Sequence, residues 1–267
     1  MILAAGGHVS WQDLALALVG GGLVSGSAMG LNCVWERDID ALMERTKHRP
    51  VPAGRLTPLV ATIFSLVIGV LGFAVLWFWI NPLSAIVALG GHLFYVFVYT
   101  IWLKRWTPQN IVIGGAAGAV PPLVGWVAAT GRLELTAVLL FLIIFLWTPP
   151  HFWALALNRN EDYRRANVPM LPVVAGERTT HNQMLLYALL LLPTSIFLVL
   201  SNSSLGWLSL AAFVLLGSVF SWKIVELKSL IDETEDRRER KAWDVFGFSL
   251  IYLALFFVFI VLDATVI

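Results

Sequence analysis

Apolar residues in this chain fall into long blocks, without the short alternating pattern of a membrane β-barrel. A helix needs roughly 20 apolar residues to cross the hydrocarbon core of a bilayer. Eight such blocks occur, at about 11–33, 57–79, 82–103, 109–129, 133–157, 182–200, 205–226 and 243–265. The backbone must satisfy its own hydrogen bonds in lipid, so each block is predicted to be a helix. The pattern therefore predicts an all-α polytopic membrane protein, a bundle of about eight transmembrane helices.

Composition agrees with this fold class. The chain is 58% hydrophobic and 13% charged, with a mean hydropathy of +0.80. We expect one transmembrane domain over residues 1–267, with no soluble domain and no nucleic-acid partner. Cys33 is the only cysteine. A single cysteine excludes a disulfide within the chain, a thiolate zinc site and an iron–sulfur cluster.

Basic residues are distributed very unevenly between the two sides of this bundle. The connections 36–56, 104–108, 158–181 and 227–242, with Lys223 at the border of the last, hold 17 of the 18 Lys and Arg residues. Only Arg132 falls on the opposite side. By the positive-inside rule the charged connections are cytoplasmic, which predicts a multi-pass protein of a bacterial inner membrane.

The N-terminus departs from this topology. Eight spans put both chain ends on the outer side, and the first residues, MILAAGG, have no charged segment of the kind that begins a signal peptide. We expect that one further span precedes this sequence, so that the chain is truncated at its N-terminus.

An unusual concentration of charge follows the first apolar block. Nine of the 24 residues in 32–55 are charged. Within this segment Asn32, Glu36 and Asp40 follow one another at intervals of four residues. This spacing puts them on one helix face, with about 6 Å between successive members. The pattern is echoed after the fifth block, where Asn158 and Asp162 form a second stripe.

The chemistry of the two stripes predicts a magnesium site. Carboxylate and amide oxygens without nearby His or Cys suit Mg²⁺ rather than zinc. Basic side chains close to the stripes are candidates for binding a diphosphate: Arg37, Arg45, Lys47, Arg49, Lys104, Arg105 and Arg159. Metal ions and cations together can neutralise a diphosphate leaving group. An apolar cavity beneath could then hold a lipid tail. We interpret Glu44, Arg55, Arg164 and Arg165 as ordinary solvated charges.

Three readings stay open from the residues alone. One is an enzyme that transfers a lipid tail from its diphosphate to an acceptor, and the residues do not determine which acceptor, because all such acceptors need the same metal–diphosphate site and apolar cavity. Another is a transporter, although transporters keep their ionisable residues near the bilayer midplane, and here they lie at span ends. The third is a membrane scaffold without catalytic activity.

Three segments resemble the intramembrane prenyltransferases of the UbiA type, and among these the protoheme IX farnesyltransferase branch. They are NCVWERDIDALMERTKHRPVPAG from residue 32, YTIWLKRWTPQNIVIGGAAGAVPPLVGW at 99–126, and WTPPHFWALALNRNEDYRRANVPMLPVVAGERTT at 147–180. The resemblance covers nearly the whole chain. It implies nine helices around a central cavity, the first of them missing here together with its Lys-Pro-Arg stretch.

The resemblance also implies a reaction and its residues. A farnesyl group would pass from farnesyl diphosphate to a vinyl group of haem B with addition of water, giving haem O, which a downstream haem A synthase could consume. The alternative within the same family is a prenyltransferase that acts on a quinone precursor or a chlorophyll precursor, and the branch-specific segments favour haem. Asn32, Glu36, Asp40, Asn158 and Asp162 match the Mg²⁺–diphosphate positions. Lys104 and Arg105 match basic diphosphate contacts. Asn158 stands where other branches have Asp.

Two histidines are candidates for contacting haem. His92 lies within the third block, and His151 follows Pro149-Pro150 shortly before the second stripe. Either could be an axial ligand of the iron, or could only form a hydrogen bond to a neighbouring helix.

Overall fold

The computed structural model describes residues 1–266, and this part of the chain is helical without β-strands. Eight of its helices are long and apolar enough to cross a membrane. We call them spans 1 to 8: Trp11–Trp35, Pro58–Ile80, Pro82–Trp106, Asn110–Thr130, Leu135–Leu157, Leu171–Leu200, Trp207–Ser229 and Glu235–Thr265. The prediction of an all-α chain with about eight transmembrane helices is confirmed.

Spans 6 and 8 begin earlier than the apolar pattern predicted. Span 6 starts at Leu171 instead of 182, and span 8 starts at Glu235 instead of 243. The extension of span 8, EDRRERKA, is polar, and residues such as Glu, Lys and Arg favour helix without needing burial. The extension of span 6, LPVVAGERTTH, begins with apolar residues and becomes polar from Glu177 onward. Span 6 has a break at Gly176, whose φ of 77° lies outside the helical region. The predicted cytoplasmic loops are therefore partly helical.

Exposed tryptophans mark both ends of the spans. Trp11, Trp79 and Trp207 lie at one set of ends, while Trp35 and Trp106 lie at the ends that carry the charged connections. Tryptophan prefers the boundary between lipid and water because its ring is apolar and its N–H is polar. The aromatic residues therefore support the assignment of the spans to a bilayer.

The chain forms two compact units. Unit 1 contains Met1, residues 9–133 and residues 161–169; unit 2 contains residues 2–8, 134–160 and the chain from 170 onward. Spans 1 to 4 thus belong to unit 1, and spans 5 to 8 to unit 2. The expectations of a single domain and of a central cavity stay predictions.

Small residues let spans 1 and 2 approach closely within unit 1. A Cβ on Gly72 would lie 2.7 Å from the carbonyl oxygen of Gly20, and one on Gly69 would lie 2.5 Å from Ser27 Oγ. Helices in lipid associate through such close packing, because lipid tails provide no hydrophobic drive between them. This contact holds span 1 in place, and span 1 ends at the first acidic stripe.

Unit 2 is held by polar contacts inside its helix bundle. The buried carboxylate of Asp263 in span 8 accepts hydrogen bonds from the backbone N–H groups of Gly206 and Ser209, both 2.9 Å. It thereby caps the start of span 7, where N–H groups have no partner within the helix. Trp147 Nε1 of span 5 donates to the carbonyl oxygen of Ser249 in span 8 at 2.9 Å.

The replacement Gly72→Ala is expected to lower the free energy of unfolding by about 1–3 kcal/mol, because the new Cβ would overlap the backbone of span 1. Unfolding of the purified protein in mixed detergent micelles measures this. The control is Gly22→Ala, where a Cβ meets nothing within 4 Å and alanine favours helix. Equal stability of both variants would contradict the close contact between spans 1 and 2.

Candidate active site

The first acidic stripe is one continuous helical face. Backbone hydrogen bonds join Glu36 N to Asn32 O at 2.9 Å and Asp40 N to Glu36 O at 2.8 Å. The helix therefore continues from span 1 through Glu36 into the short helix Arg37–Leu42. Asn32, Glu36 and Asp40 are 6%, 1% and 2% exposed. Their burial excludes an ordinary solvated loop, because carboxylates are almost never fully buried unless paired.

Two cations compensate the carboxylates of this stripe. Lys104, at the end of span 3, donates to Glu36 Oε2. Arg49 Nη1 donates to Asp40 Oδ2 at 2.7 Å. Thr46 Oγ1 donates a hydrogen bond to the carbonyl oxygen of Asp40 at 2.9 Å. This contact turns the chain after Asp40, so that Arg49 lies close enough to pair with the Asp40 carboxylate. Both cations were predicted to be diphosphate contacts, and the structure places both against the stripe.

A side-chain contact orients the amide of Asn32. Its Nδ2 donates to Thr100 Oγ1 of span 3 at 3.0 Å. The amide nitrogen is thereby occupied, so the Oδ1 atom is the end left for another partner. An amide oxygen is a good ligand for a hard divalent cation.

Asp162 lies beside the first acidic segment, although 122 positions separate it from Asp40. Its Oδ1 accepts hydrogen bonds from the backbone N–H of Glu44 at 3.4 Å and from Arg165 at 3.0 Å. Asp162 is 4% exposed. Asp162, from the second of the two similar sequence motifs, is therefore in contact with the first motif at Glu44. Arg165, interpreted from sequence as a solvated charge, is its counter-cation.

Asn158 does not share a helix face with Asp162, contrary to the expected second stripe. Span 5 ends at Leu157, and a new short helix begins at Asn160. The Asn158 amide is best oriented with Nδ2 donating to the carbonyl oxygen of Glu239 at 3.1 Å and Oδ1 accepting from Trp243 N at 3.2 Å. These two hydrogen bonds of Asn158 therefore connect the end of span 5 to span 8 within unit 2. An aspartate could not donate the first of these bonds.

The other predicted diphosphate contacts differ in their surroundings. Arg105 forms a two-pronged hydrogen bond with Asp38, at 2.9 and 2.7 Å, which lowers the pKa of that carboxyl below its usual value. Lys47 pairs with exposed Glu44 at 2.6 Å. Three further cations make no ion pair within residues 1–266: Arg37 and Arg45, which are exposed, and Arg159, which lies 5.6 Å from the Trp243 ring centre.

Sequence reasoning missed the aromatic part of the site. Residues Phe94–Leu103 of span 3 form a π-helix, a wider turn that is frequent at functional sites. Tyr95 and Tyr99 lie here with ring centres 5.3 Å apart, and Lys104 Nζ is 5.9 Å from the Tyr99 ring centre. The Tyr99 ring fills the space where Gly114 has no side chain. In the sequence, this part of the site was indicated only by the aromatic residues of FYVFVYTIWL, which directly precede Lys104.

Each candidate histidine has one ring nitrogen, Nε2, that makes no hydrogen bond to the described residues. His92 Nδ1 lies 3.2 Å from the carbonyl oxygen of Val24, and a carbonyl oxygen can only accept a hydrogen bond. His151 Nδ1 lies 2.7 Å from Ser249 Oγ, whose own hydrogen is donated to the carbonyl oxygen of Phe246 at 2.5 Å. In the neutral form of each imidazole the hydrogen therefore lies on Nδ1, which leaves Nε2 as an acceptor.

The His151 ring is held more firmly than that of His92. It stacks between Trp147 and Phe246, at 4.2 and 4.7 Å between ring centres. A histidine fixed through one nitrogen and open at the other is the usual arrangement of a metal ligand, although the same contacts would also serve helix packing.

The donor atoms of the first stripe fit a divalent metal ion, although they are not assembled around one. Within the described residues, no three His, Cys, Asp or Glu side chains converge on a common point. Glu36 Oε1 nevertheless is buried and has no hydrogen-bond partner. An unsatisfied buried carboxylate oxygen is costly, and a cation bound to it would remove the cost.

Comparison with known sequences places this site in a family. The profile described as the UbiA prenyltransferase family matches residues 1–251. A protoheme IX farnesyltransferase of Synechocystis sp. is 49% identical over 264 residues, which cover 99% of this chain and 82% of that protein. One from Synechococcus sp. (strain JA-3-3Ab) is 52% identical over 249 residues, covering 93% and 74%.

Solved structures agree in fold at low sequence identity. A structure of digeranylgeranylglyceryl phosphate synthase matches with a TM-score of 0.79 and 19% identity, covering 100% of this chain and 90% of the other. A UbiA homologue from Archaeoglobus fulgidus, bound to DMAPP and Mg²⁺, matches with a TM-score of 0.67 and 15% identity, covering 97% and 90%. These structures share the fold; the profile match over residues 1–251 and the relatives that are 49% and 52% identical show that the chain belongs to the UbiA prenyltransferase family.

Proposed function

We propose that this membrane protein transfers the farnesyl group of farnesyl diphosphate to a vinyl group of haem B, with addition of water, giving haem O and diphosphate. The observation that carries the acceptor is the identity of about half of all residues with relatives named protoheme IX farnesyltransferase, over nearly the whole chain. The diphosphate chemistry is supported by the buried carboxylates and cations at the ends of spans 1 and 3.

Leaving-group departure is the step that these residues serve. The electrons of the farnesyl carbon–oxygen bond leave with the diphosphate, so negative charge grows on its oxygens. Lys104 and Arg49 are charged donors already held in place by Glu36 and Asp40, and such preorganised donors stabilise developing charge strongly. The vinyl π electrons then form the new carbon–carbon bond. Water adds to the resulting carbocation and loses a proton.

Magnesium fits the oxygen atoms of this site. Asn32, Glu36, Asp40 and Asp162 would hold it, with Asn158 as a further candidate. When bound, Mg²⁺ would supply Lewis-acid stabilisation of the diphosphate. The buried, unpartnered Glu36 Oε1 supports this assignment, as does the Mg²⁺ bound by the Archaeoglobus fulgidus relative. Arg37, Arg45, Lys47, Arg105 and Arg159 are proposed as outer contacts of the diphosphate.

Haem contact is assigned to His151, with His92 as the second candidate. His151 lies six residues before the end of span 5, which is about 9 Å along a helix. An iron atom at this depth would let the polar edge of the porphyrin approach the membrane surface. The open Nε2 atom supports His151 as an axial ligand.

The charged connections are assigned to the cytoplasmic face of a bacterial inner membrane, because they hold 17 of the 18 Lys and Arg residues. Both substrates would then reach the site from the cytoplasm or the bilayer. A haem A synthase is proposed as the enzyme that consumes the product.

Membranes containing this chain are expected to convert haem B to haem O when given farnesyl diphosphate and Mg²⁺, as followed by chromatography of the extracted haems. Membranes without the chain provide the blank. Prenylation of a quinone or chlorophyll precursor, with haem B left unchanged, would overturn the haem assignment while keeping the family chemistry.

The variant Asp40→Ala is expected to lower the rate of haem O formation by at least about 100-fold, since a group that holds the charges around the leaving diphosphate is lost. Asp236→Asn serves as the control, because Asp236 is exposed and pairs with the exposed Arg240, and neither residue belongs to the proposed site. Both variants must reach the membrane in wild-type amount. Unimpaired turnover of Asp40→Ala would remove Asp40 from the site.

Titration of the purified protein with haem B is expected to give the absorption spectrum of histidine-ligated iron, and His151→Ala should abolish this spectrum. Ser249→Ala should weaken binding of the iron by about 10- to 100-fold, because the ring would lose the partner that fixes its hydrogen on Nδ1. His92→Ala is the comparison. If only His92→Ala changes the spectrum, the assignment to His151 is wrong.

A further inference from the structure

Unit 2 has a group of charged side chains that the proposed reaction does not use. The group lies at the ends of spans 6, 7 and 8 that carry the charged connections. Arg238 of span 8 donates through Nη1 to Glu177 of span 6 at 2.6 Å. His181 lies one turn after Glu177, and the charged groups that act on it electrostatically are Glu177, Arg238 and Lys228. Lys228, in the last turn of span 7, therefore belongs to the same group.

Positive charge exceeds negative charge in this group. Glu177 is the acid that pairs with Arg238. Lys228 and Arg178, by contrast, make no ion pair within residues 1–266. Two acids that follow span 7 in the chain pair instead with arginines of span 8. Two cations are thus left without an acid at this end of the bundle.

Lys228 and His181 lie on the faces along which spans 7 and 6 meet. A Cβ on Gly217 of span 7 would lie 2.5 Å from the Leu192 side chain of span 6, so these two residues mark the contact. Lys228 follows Gly217 by eleven residues, and His181 precedes Leu192 by eleven residues. Three turns of α-helix take about 11 residues. Both residues therefore continue the contact faces to the charged ends of the two spans.

One side of this contact is open to lipid. Arg178 is exposed, and Leu189 of span 6 and Val225 of span 7 are 49% and 47% exposed. Each of the three precedes a residue of the contact faces by three positions, which is a rotation of about 60° around the helix. Because spans 6 and 7 run in opposite directions, all three lie on the same side of the contact. A groove results, with cations at its mouth and apolar side chains along its length.

The mouth of the groove is short of acceptors. The break at Gly176 makes Glu177 the first residue of the remaining helix, and N–H groups in the first turn of a helix have no partner within it. The partial positive charge at such a helix start favours a negative ligand. Arg238 Nε and His181 Nδ1 are enclosed and form no hydrogen bond with the described residues. Negative charge nearby would offset part of the cost of burying them.

We propose that the groove between spans 6 and 7 binds an anionic phospholipid, with its phosphate between Arg178 and Lys228 and an acyl chain along Leu189 and Val225. Basic pockets between transmembrane helices bind anionic head groups in this way. A soluble phosphate would pair with the cations but leave the apolar side chains unused. A zwitterionic lipid brings an ammonium group, which the two cations repel. The site needs neither haem nor farnesyl diphosphate, so it is independent of the proposed function.

Native mass spectrometry of the purified protein in detergent measures lipid binding, with phosphatidylglycerol as the anionic probe and phosphatidylcholine as the probe without net charge. The wild type is expected to bind phosphatidylglycerol at least about 5-fold more tightly. Lys228→Gln and Arg178→Gln should each weaken phosphatidylglycerol binding by about 5-fold, the factor that corresponds to about 1 kcal/mol per cation. Binding of phosphatidylcholine should stay unchanged in both variants.

Lys223→Gln is the matched control. Lys223 lies on the same span as Lys228, but it is compensated, because it pairs with Asp244 at 2.7 Å. This variant should bind phosphatidylglycerol as the wild type does. Arg178 is exposed, so Arg178→Gln provides a folded protein for the test even if Lys228→Gln does not fold.

Three results would overturn the proposal. The first is equal affinity of the wild type for the two lipids. The second is wild-type binding of phosphatidylglycerol by the folded variants Lys228→Gln and Arg178→Gln. The third is displacement of phosphatidylglycerol by an equal concentration of inorganic phosphate, which would show that the cations bind a soluble anion and that the apolar side of the groove contributes nothing.

Discussion

A carboxylate that is 1% exposed at the end of a membrane span must be compensated, and the pairing of Glu36 with Lys104 does this. Removing a charge from water costs several kcal/mol unless a partner repays it. The partner lies at the end of span 3, so spans 1 and 3 must end at the same level of the membrane. The small residues between spans 1 and 2, and the π-helix before Lys104, fit this requirement.

The same constraint explains why the site is mixed in charge. A purely acidic cluster would repel itself in a water-poor region, and a purely basic one would hold diphosphate too firmly to release it. Here each of Glu36, Asp40 and Asp162 pairs with one cation through one carboxylate oxygen, while the other oxygen accepts no hydrogen bond from residues 1–266. Such an arrangement is stable by itself and can also accept a ligand that brings charges of both signs.

Asn158 and Asp162 show how far a sequence pattern can be trusted. The echo of the first motif in the second pointed to Asp162, and in the structure Asp162 accepts a hydrogen bond from the backbone N–H of Glu44 in the first motif. It did not reveal that the helix breaks between Leu157 and Asn160, which ends the four-residue periodicity. A break of this kind depends on contacts of Asn158 with span 8, and periodicity contains no information about them.

The sequence by itself determined the number of spans, their approximate limits, the charged side and the first acidic stripe. These follow from properties that act along the chain: the thickness of the bilayer, the hydrogen bonding of the backbone in lipid and the pitch of a helix. Only the tertiary structure decided which cation meets which acid, that Thr100 orients Asn32, and that Ser249 sets the hydrogen of His151. The contacts of Asn32 with Thr100, Glu36 with Lys104 and His151 with Ser249 join residues 68, 68 and 98 positions apart. Their formation depends on how whole helices pack, which no local pattern encodes.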